Sequence, residues 1–331
     1  MPALFPHSHS RHQARNQEPQ IVKFSEPIDK AGTRPHTVHW GPVDPIQAAI
    51  RSSSASRAPE MDAKLQRRVQ RYGWDKAASH YERSWQRQLE PAQSTLLQLA
   101  GLEQGLEVLD VACGTGLVSL KAAAMVVPGG RVVGTDISEQ MVLAARDMAA
   151  SRRIANARFE RMEAEQSTFG ENSIDVVLCA LGLMYVPDPE QAICDFHRIL
   201  RPRGRAVCAV WGQRTKCGWA EIFPIVDARV QSEVCRMFFR LGTAQNLQRA
   251  FRAAGFAGIV ERRLETRLEY ASGDEACDAA FVGGPVALAY GHFSPDAKSE
   301  ARKEYLESLK AYLIGDHYSI PGEFVVVAGT K

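Results

Sequence analysis

The chain has 331 residues, 45% of them hydrophobic, and a formal net charge of +2. That length and apolar content can bury one large core, with room for a smaller lobe or a tail. The balance of charge, with no basic stripe interleaved with aromatics, argues against a nucleic-acid partner, and no apolar run approaches the roughly 20 residues that span a bilayer.

Residues 1–60 are rich in Pro, Ser, His and Gln and include "RSSSASRAPE". Such a segment lacks the periodic apolar positions needed to order itself and is expected to be a disordered extension. From Met61 the pattern is helical, with Leu65, Val69, Tyr72, Ala77 and Tyr81 at near-helical spacing and Gly73 in their midst. This predicts two short amphipathic helices broken at Gly73, then a third helix around "AQSTLLQLAGL" that ends at Gly101.

Strands and helices then alternate. "LEVLDVA", "RVVGTDI", "ARFERMEA", "IDVVLCAL" and "GRAVCAVW" read as strands. "LVSLKAAAMVV", "SEQMVLAARDMAA" and "PEQAICDFHRIL" read as the intervening helices. Near-continuous apolar strands separated by helices imply a parallel sheet covered on both faces. Ser138 and Asp188 are the expected N-caps of the second and third helices, with Pro189 in the first turn of the third. After Trp211 come a largely helical stretch, a strand "IVERRLETRLEYA", a second helical insertion and a final strand "EFVVVAGTK". The last two strands are expected to form an antiparallel pair at the sheet edge.

The seven cysteines, Cys113, Cys179, Cys194, Cys208, Cys217, Cys235 and Cys277, are odd in number and never spaced CxxC. They read as buried thiols in a reducing cytoplasm. A zinc or thiol-metalloid site would need folding to gather Cys113, Cys179 and Cys217; the buried-thiol reading is preferred, and no metal is assigned.

The stretch "VLDVACGTG" carries the chemistry, because a strand running into a glycine loop lets a ligand approach the backbone. Leu117 and Val118 follow the loop where a phosphate-binding P-loop needs Lys and Ser or Thr, so ATP and GTP are excluded. Ser119 stands where a dinucleotide fingerprint has its third glycine, and Asp110 would repel a pyrophosphate. S-adenosylmethionine suits the loop better. Asp110 or loop carbonyls can take its ammonium, and helix-start amides its carboxylate. Asp136, ending the next strand, offers two acceptor oxygens to two ribose hydroxyls. Glu163 ends the third strand, and Ile137 with Met141 can sandwich an adenine ring.

In this order "LDVACGTG", "GTDIS", "MEAE", "SIDVVLCALGLMYVPDPEQA" and "RILRPRGR" resemble the successive motifs of class I S-adenosylmethionine-dependent methyltransferases. The resemblance is to the branch similar to ubiquinone and menaquinone biosynthesis enzymes and covers roughly residues 70–212. It implies a Rossmann-like α/β fold with a seven-stranded, mostly parallel sheet, an antiparallel last strand pair and helical lid insertions. The expected core is residues 95–212 of a 61–331 domain, with lid and substrate elements at 61–95, 213–258 and 274–316.

The set expected to face the cofactor is Asp110, Ala112, Cys113, Gly114, Thr115, Gly116, Asp136, Ile137, Met141, Glu163, Ala164 and Cys179, with Tyr81 folding over from the N-terminal segment. Asp175 matches the acid opening the fourth strand. Ala112 departs from the glycine of many relatives, and Glu163 from the commoner Asp.

Methyl transfer needs an electron-rich atom held near the methyl and water kept away, and no catalytic side chain is strictly required. Met184, Tyr185, Trp211 and Tyr290 are the candidate acceptor contacts, with Tyr72 and Trp74 as further roof aromatics. Tyr185, His80 and His292 are the candidates for a catalytic group. For each aromatic the plain alternative is core packing, and for each His a surface or satisfied core position. The expected enzyme methylates a carbon or oxygen of a small, fairly apolar molecule, as a cytoplasmic monomer or homodimer. The alternatives are an NAD(P)-dependent oxidoreductase and a non-catalytic cofactor-binding subunit.

Overall fold

The computed structural model describes residues 63–230 and 238–331; the expected disordered extension and Cys235 lie outside them. Eight strands form one sheet in the order β3-β2-β1-β4-β5-β8-β6, with the two-residue β7 (Leu313–Ile314) pairing β8 off that path. Strands β1 (Glu107–Val111), β2 (Arg131–Asp136), β3 (Ala157–Arg161), β4 (Ile174–Ala180) and β5 (Leu200–Trp211) pair in parallel. β8 (His317–Thr330) lies antiparallel between β5 and the edge strand β6 (Ala257–Tyr270).

β1 has β2 on one side and β4 on the other, so the strand order reverses there. In open α/β sheets this reversal opens a crevice beyond the carboxyl ends of the strands.

A single helix α1, Ala63–Ala100, replaces the expected helix pair and the third helix. Gly73 does not break it. A Cβ there would stand 3.8 Å from Leu288 Cβ and 3.9 Å from the Pro285 carbonyl oxygen, ordinary contact distances, so the helix packs on the later 285–288 segment without needing glycine at this position. Pro91 also lies inside α1, where burial of Leu89, Ala92, Leu96 and Leu97 offsets the missing backbone donor. The helix stops at Gly101, in the left-handed region at φ 57°.

From Ala63 to Trp85 the buried residues of α1 are Gln70, Gly73, Ala77, Ser84 and Trp85, which share only Ala77 with the apolar stripe expected from sequence. Tyr72 is consequently on the outside, 37% exposed, with Arg71 over its ring.

The covering helices are α2 (Leu117–Met125), α3 (Glu139–Ser151) and α4 (Pro189–Ile199). Both expected caps form: Ser138 Oγ accepts from Met141 N at 3.1 Å and Asp188 Oδ1 from Gln191 N at 2.9 Å. The later chain adds α5 (Ile222–Asp227), α6 (Asn246–Ala253), α7 (Gly273–Phe281), α8 (Ala287–Gly291) and α9 (Pro295–Ser308). One core runs through both faces of the sheet, and a smaller one on the α3 side is closed by Cys113, Leu120, Val142, Ala145, Ala149 and Phe159. No helix among the described residues is long and apolar enough to cross a membrane.

Candidate active site

A cleft of about 1000 Å³, counted to its open mouth, lies beyond the carboxyl ends of β1, β2 and β4 under helix α1.

Its floor is the loop after β1. Ala112 and Gly114 line the cleft and take left-handed φ values of 55° and 54°. Gly114 donates its N–H to Asp136 Oδ2 at 2.9 Å, and Ser138 N donates to Asp136 Oδ1 at 2.9 Å. Each carboxylate oxygen keeps a second acceptor site. A Cβ on Gly114 would lie 3.6 Å from the Tyr81 ring, so floor and roof approach closely here. Burial, reinforced by the charge of Asp75, pushes the Asp136 carboxyl up to about 6 despite these hydrogen bonds.

Ile137, Met141, Glu163, Ala164, Tyr81, Tyr185 and Trp211, all singled out from sequence, also line the cleft. The other expected contacts take different positions. Asp110 is 0% exposed and lies behind the floor, its Oδ2 accepting from Ser119 Oγ at 2.5 Å while Oδ1 has no partner among the described residues. Burial pushes it up to about 7, and it does not line the cleft, where Asp110 or loop carbonyls were expected to take an ammonium.

Cys113 turns into the α3-side core beside Phe159, and Thr115 is buried beneath the loop. Gly116 serves packing, since a Cβ there would press on Ala145 and Phe159 at 3.3 Å. Cys179 is the in-register neighbour of Cys208 inside the sheet.

Met184 is buried off the cleft, on the single turn Leu183–Tyr185 whose Tyr185 takes the cleft side. Tyr290 stacks on Phe281, ring centroids 4.7 Å apart, within the core of the C-terminal insertion. His80 faces away from the cleft, with its Nδ1 3.1 Å from Arg83, because adjacent helical residues point about 100° apart and Tyr81 takes the inner face. His292 is exposed at the end of α8. Asp175 ties strands together at the far end of the sheet, accepting from Glu107 N at 2.8 Å and Arg201 at 2.6 Å.

Three features were only partly read in the sequence. First, one face of α1 roofs the cleft: Trp74 and Tyr81 were expected there, but Arg67, Gln70, Trp85 and Leu89 were not; their spacing of three, four and seven residues was the available signal.

Second, polar contacts clasp this helix to the sheet. Arg67 Nε donates to Glu165 Oε2 at 2.7 Å and is 3.3 Å from Glu163, and Glu165 Oε1 accepts from Asp188 N at 2.8 Å. Asp75 Oδ1 accepts from Ser138 Oγ at 2.7 Å and Gln140 N at 3.1 Å.

Third, an aromatic wall runs Tyr81 to Trp74 (5.8 Å), Trp74 to Tyr185 (5.0 Å), and Tyr185 to Phe238 (5.4 Å). It continues from Phe238 to Trp219 (5.7 Å) and from Trp219 to Trp211 (4.7 Å). No group of three His, Cys, Asp or Glu suited to a metal forms among the described residues.

Residues 108–204, which run from β1 through β4 into the start of β5 and include the floor of this cleft, match the methyltransferase domain family. Over those residues the chain is similar to methyltransferase domains. The chain is 33% identical over 127 residues to a demethylmenaquinone methyltransferase of Listeria monocytogenes serotype 4a, a match covering 38% of this chain and 54% of the relative. The chain thus spans about half the length of that curated relative. A nocamycin O-methyltransferase of Saccharothrix syringae is 27% identical over 256 residues, covering 73% of this chain and 91% of the relative. Among solved structures, the YcgJ protein of Bacillus subtilis superposes with a TM-score of 0.54 at 17% identity, covering 73% of this chain and 98% of that one. That likeness is one of fold.

The residues of the methyltransferase domain fit S-adenosylmethionine. Asp136 keeps acceptor sites for paired hydroxyls, Gly114 leaves room that a side chain would fill, and Ile137, Met141, Glu163 and Ala164 line the same cleft.

Proposed function

We propose that this chain transfers a methyl group from S-adenosylmethionine to a carbon or oxygen of a small, largely apolar molecule. The observation carrying this reading is the Asp136 carboxylate, fixed by Gly114 and Ser138, opening into a cleft whose opposite wall is aromatic. Both curated relatives carry names of small-molecule methyltransferases, which supports the same substrate class.

The bound cofactor supplies an electrophilic methyl on a sulfonium; the chain supplies position and dryness. Asp136 holds the ribose hydroxyls, and Glu163 with the Ala164 amide reads the adenine edge. Tyr81 closes over Gly114. Burial and the charges of Asp136 and Asp110 push its phenol well above the usual range, so it stays protonated and acts as a hydrogen-bond donor. Trp74, Tyr185, Trp211 and Trp219 offer flat apolar faces that orient a ring and exclude water from the reacting atoms.

The six cysteines among the described residues are free thiols, five of them buried, which supports a reducing cytoplasmic setting. The balanced charge supports small-molecule rather than nucleic-acid substrates. The test is a turnover screen with methyl-labelled S-adenosylmethionine over hydroxylated and carbonyl-bearing ring acceptors. Label transfer to one of them supports the reading. Tight S-adenosylhomocysteine binding without transfer to any acceptor points instead to a non-catalytic binding subunit.

A further inference from the structure

Among the residues that roof the cleft, Gln70 stands out. It is 5% exposed, lines the cleft, and its Nε2 has no hydrogen-bond partner among the described residues. A buried amide N–H without a partner is an unfavourable arrangement that folding ordinarily removes, and persists where a ligand satisfies it.

Its surroundings say which ligand. Gln70 projects from α1, so it belongs to the wall opposite the strand-end loops that carry Gly114, Asp136, Glu163 and Ala164. One turn before it Gln66 Nε2 donates to the Tyr185 carbonyl at 3.4 Å, and one turn after it Trp74 packs on the Tyr185 ring. Arg67 is held by Glu165 and Glu163. The Gln70 amide therefore adds a donor to a largely aromatic wall.

We propose that Gln70 is a specificity-determining residue that donates a hydrogen bond to a carbonyl or hydroxyl oxygen on the ring of the methyl acceptor. This rests on the methyltransferase reading above and extends it: the acceptor must carry an oxygen on its apolar frame. A site built around such a bond discriminates against a molecule of similar shape that lacks the oxygen, because the donor is then left unpaired.

The experiment uses the full chain with saturating S-adenosylhomocysteine and follows tryptophan quenching by two probes, 1,4-naphthoquinone and naphthalene. Wild type is expected to bind the quinone at least about tenfold more tightly than the hydrocarbon. Gln70→Leu should abolish that preference and leave S-adenosylhomocysteine affinity within about twofold, while raising the melting temperature because a buried unpaired donor has been removed. Gln70→Glu keeps the size, loses the donor and should lose the preference too.

The proposal is overturned by an unchanged preference in both variants, by absence of saturable quinone binding in wild type, or by a variant whose principal loss is in S-adenosylhomocysteine affinity. Failure of wild type to bind S-adenosylhomocysteine at all would count against the methyltransferase reading itself.

Discussion

Gly114 and Asp136, 22 residues apart in sequence, are joined by a 2.9 Å hydrogen bond from the glycine N–H to the carboxylate. One acid thus holds the loop after β1 in place and presents acceptor sites to the cleft, so loop shape and ligand contact depend on the same side chain.

Asp136→Ala removes both. Loss of charge-assisted hydrogen bonds of this kind amounts to about 2 kcal/mol, or roughly a 30-fold weaker affinity for S-adenosylhomocysteine. Isothermal titration reads it directly, and an unchanged affinity would remove Asp136 from the site.

Stability should carry a pH signature from Asp110. Burial holds its carboxyl at about 7 in the folded chain, against about 3.9 when unfolded. Between those values the folded state keeps a proton that the unfolded state releases, so this group's contribution is complete below about pH 4 and lost as the pH rises through about 7. Asp110→Asn deletes that term. Thermal melts from pH 5 to 8 should therefore fall more steeply for wild type than for the variant; parallel curves would contradict the assignment.

Ala112 and Gly182 are complementary in size. Ala112 holds a left-handed backbone at φ 55°, and a Cβ on Gly182 would overlap its methyl. Gly182→Ala should destabilise the chain by about 1–3 kcal/mol. Adding Ala112→Gly should restore much of that, because it removes the overlap and relaxes the backbone. Chemical denaturation of the two single variants and the double variant gives the coupling, and strict additivity would refute the contact.

The clasp on α1 predicts where the roof loosens. Glu165→Ala removes the 2.7 Å acceptor of Arg67, which keeps Glu163, and the partner of the Asp188 amide. Faster hydrogen exchange over residues 63–75, with little change in β1 or β4, is the expected result.

Much of the sheet was legible because buried parallel strands are apolar along their whole length and helices alternate with them. The caps at Ser138 and Asp188 were legible because capping chemistry is local. Helix α1 was not: the propensity of Gly73 suggested a break, and the packing that overrides it comes from the sheet and from the segment around Pro285 and Leu288, far along the chain.

The same reason limits the site. Asp136, Glu163 and Tyr81 could be placed from motif order, but Asp110 was assigned to the cleft wall because sequence gives a residue's position on a strand and not the depth of its side chain. Gly134 is a related case. Within "GTDIS" its role is packing, since a Cβ would sit 2.6 Å from the Phe159 ring, and that ring lies one strand away.

The central claim is that the cleft under α1 binds S-adenosylmethionine and its product through Asp136. Calorimetric titration of the full chain with S-adenosylhomocysteine and, separately, NADH tests it most directly. The account predicts saturable one-site binding of S-adenosylhomocysteine and no heat of binding from NADH. Saturable NADH binding with none for S-adenosylhomocysteine would contradict it.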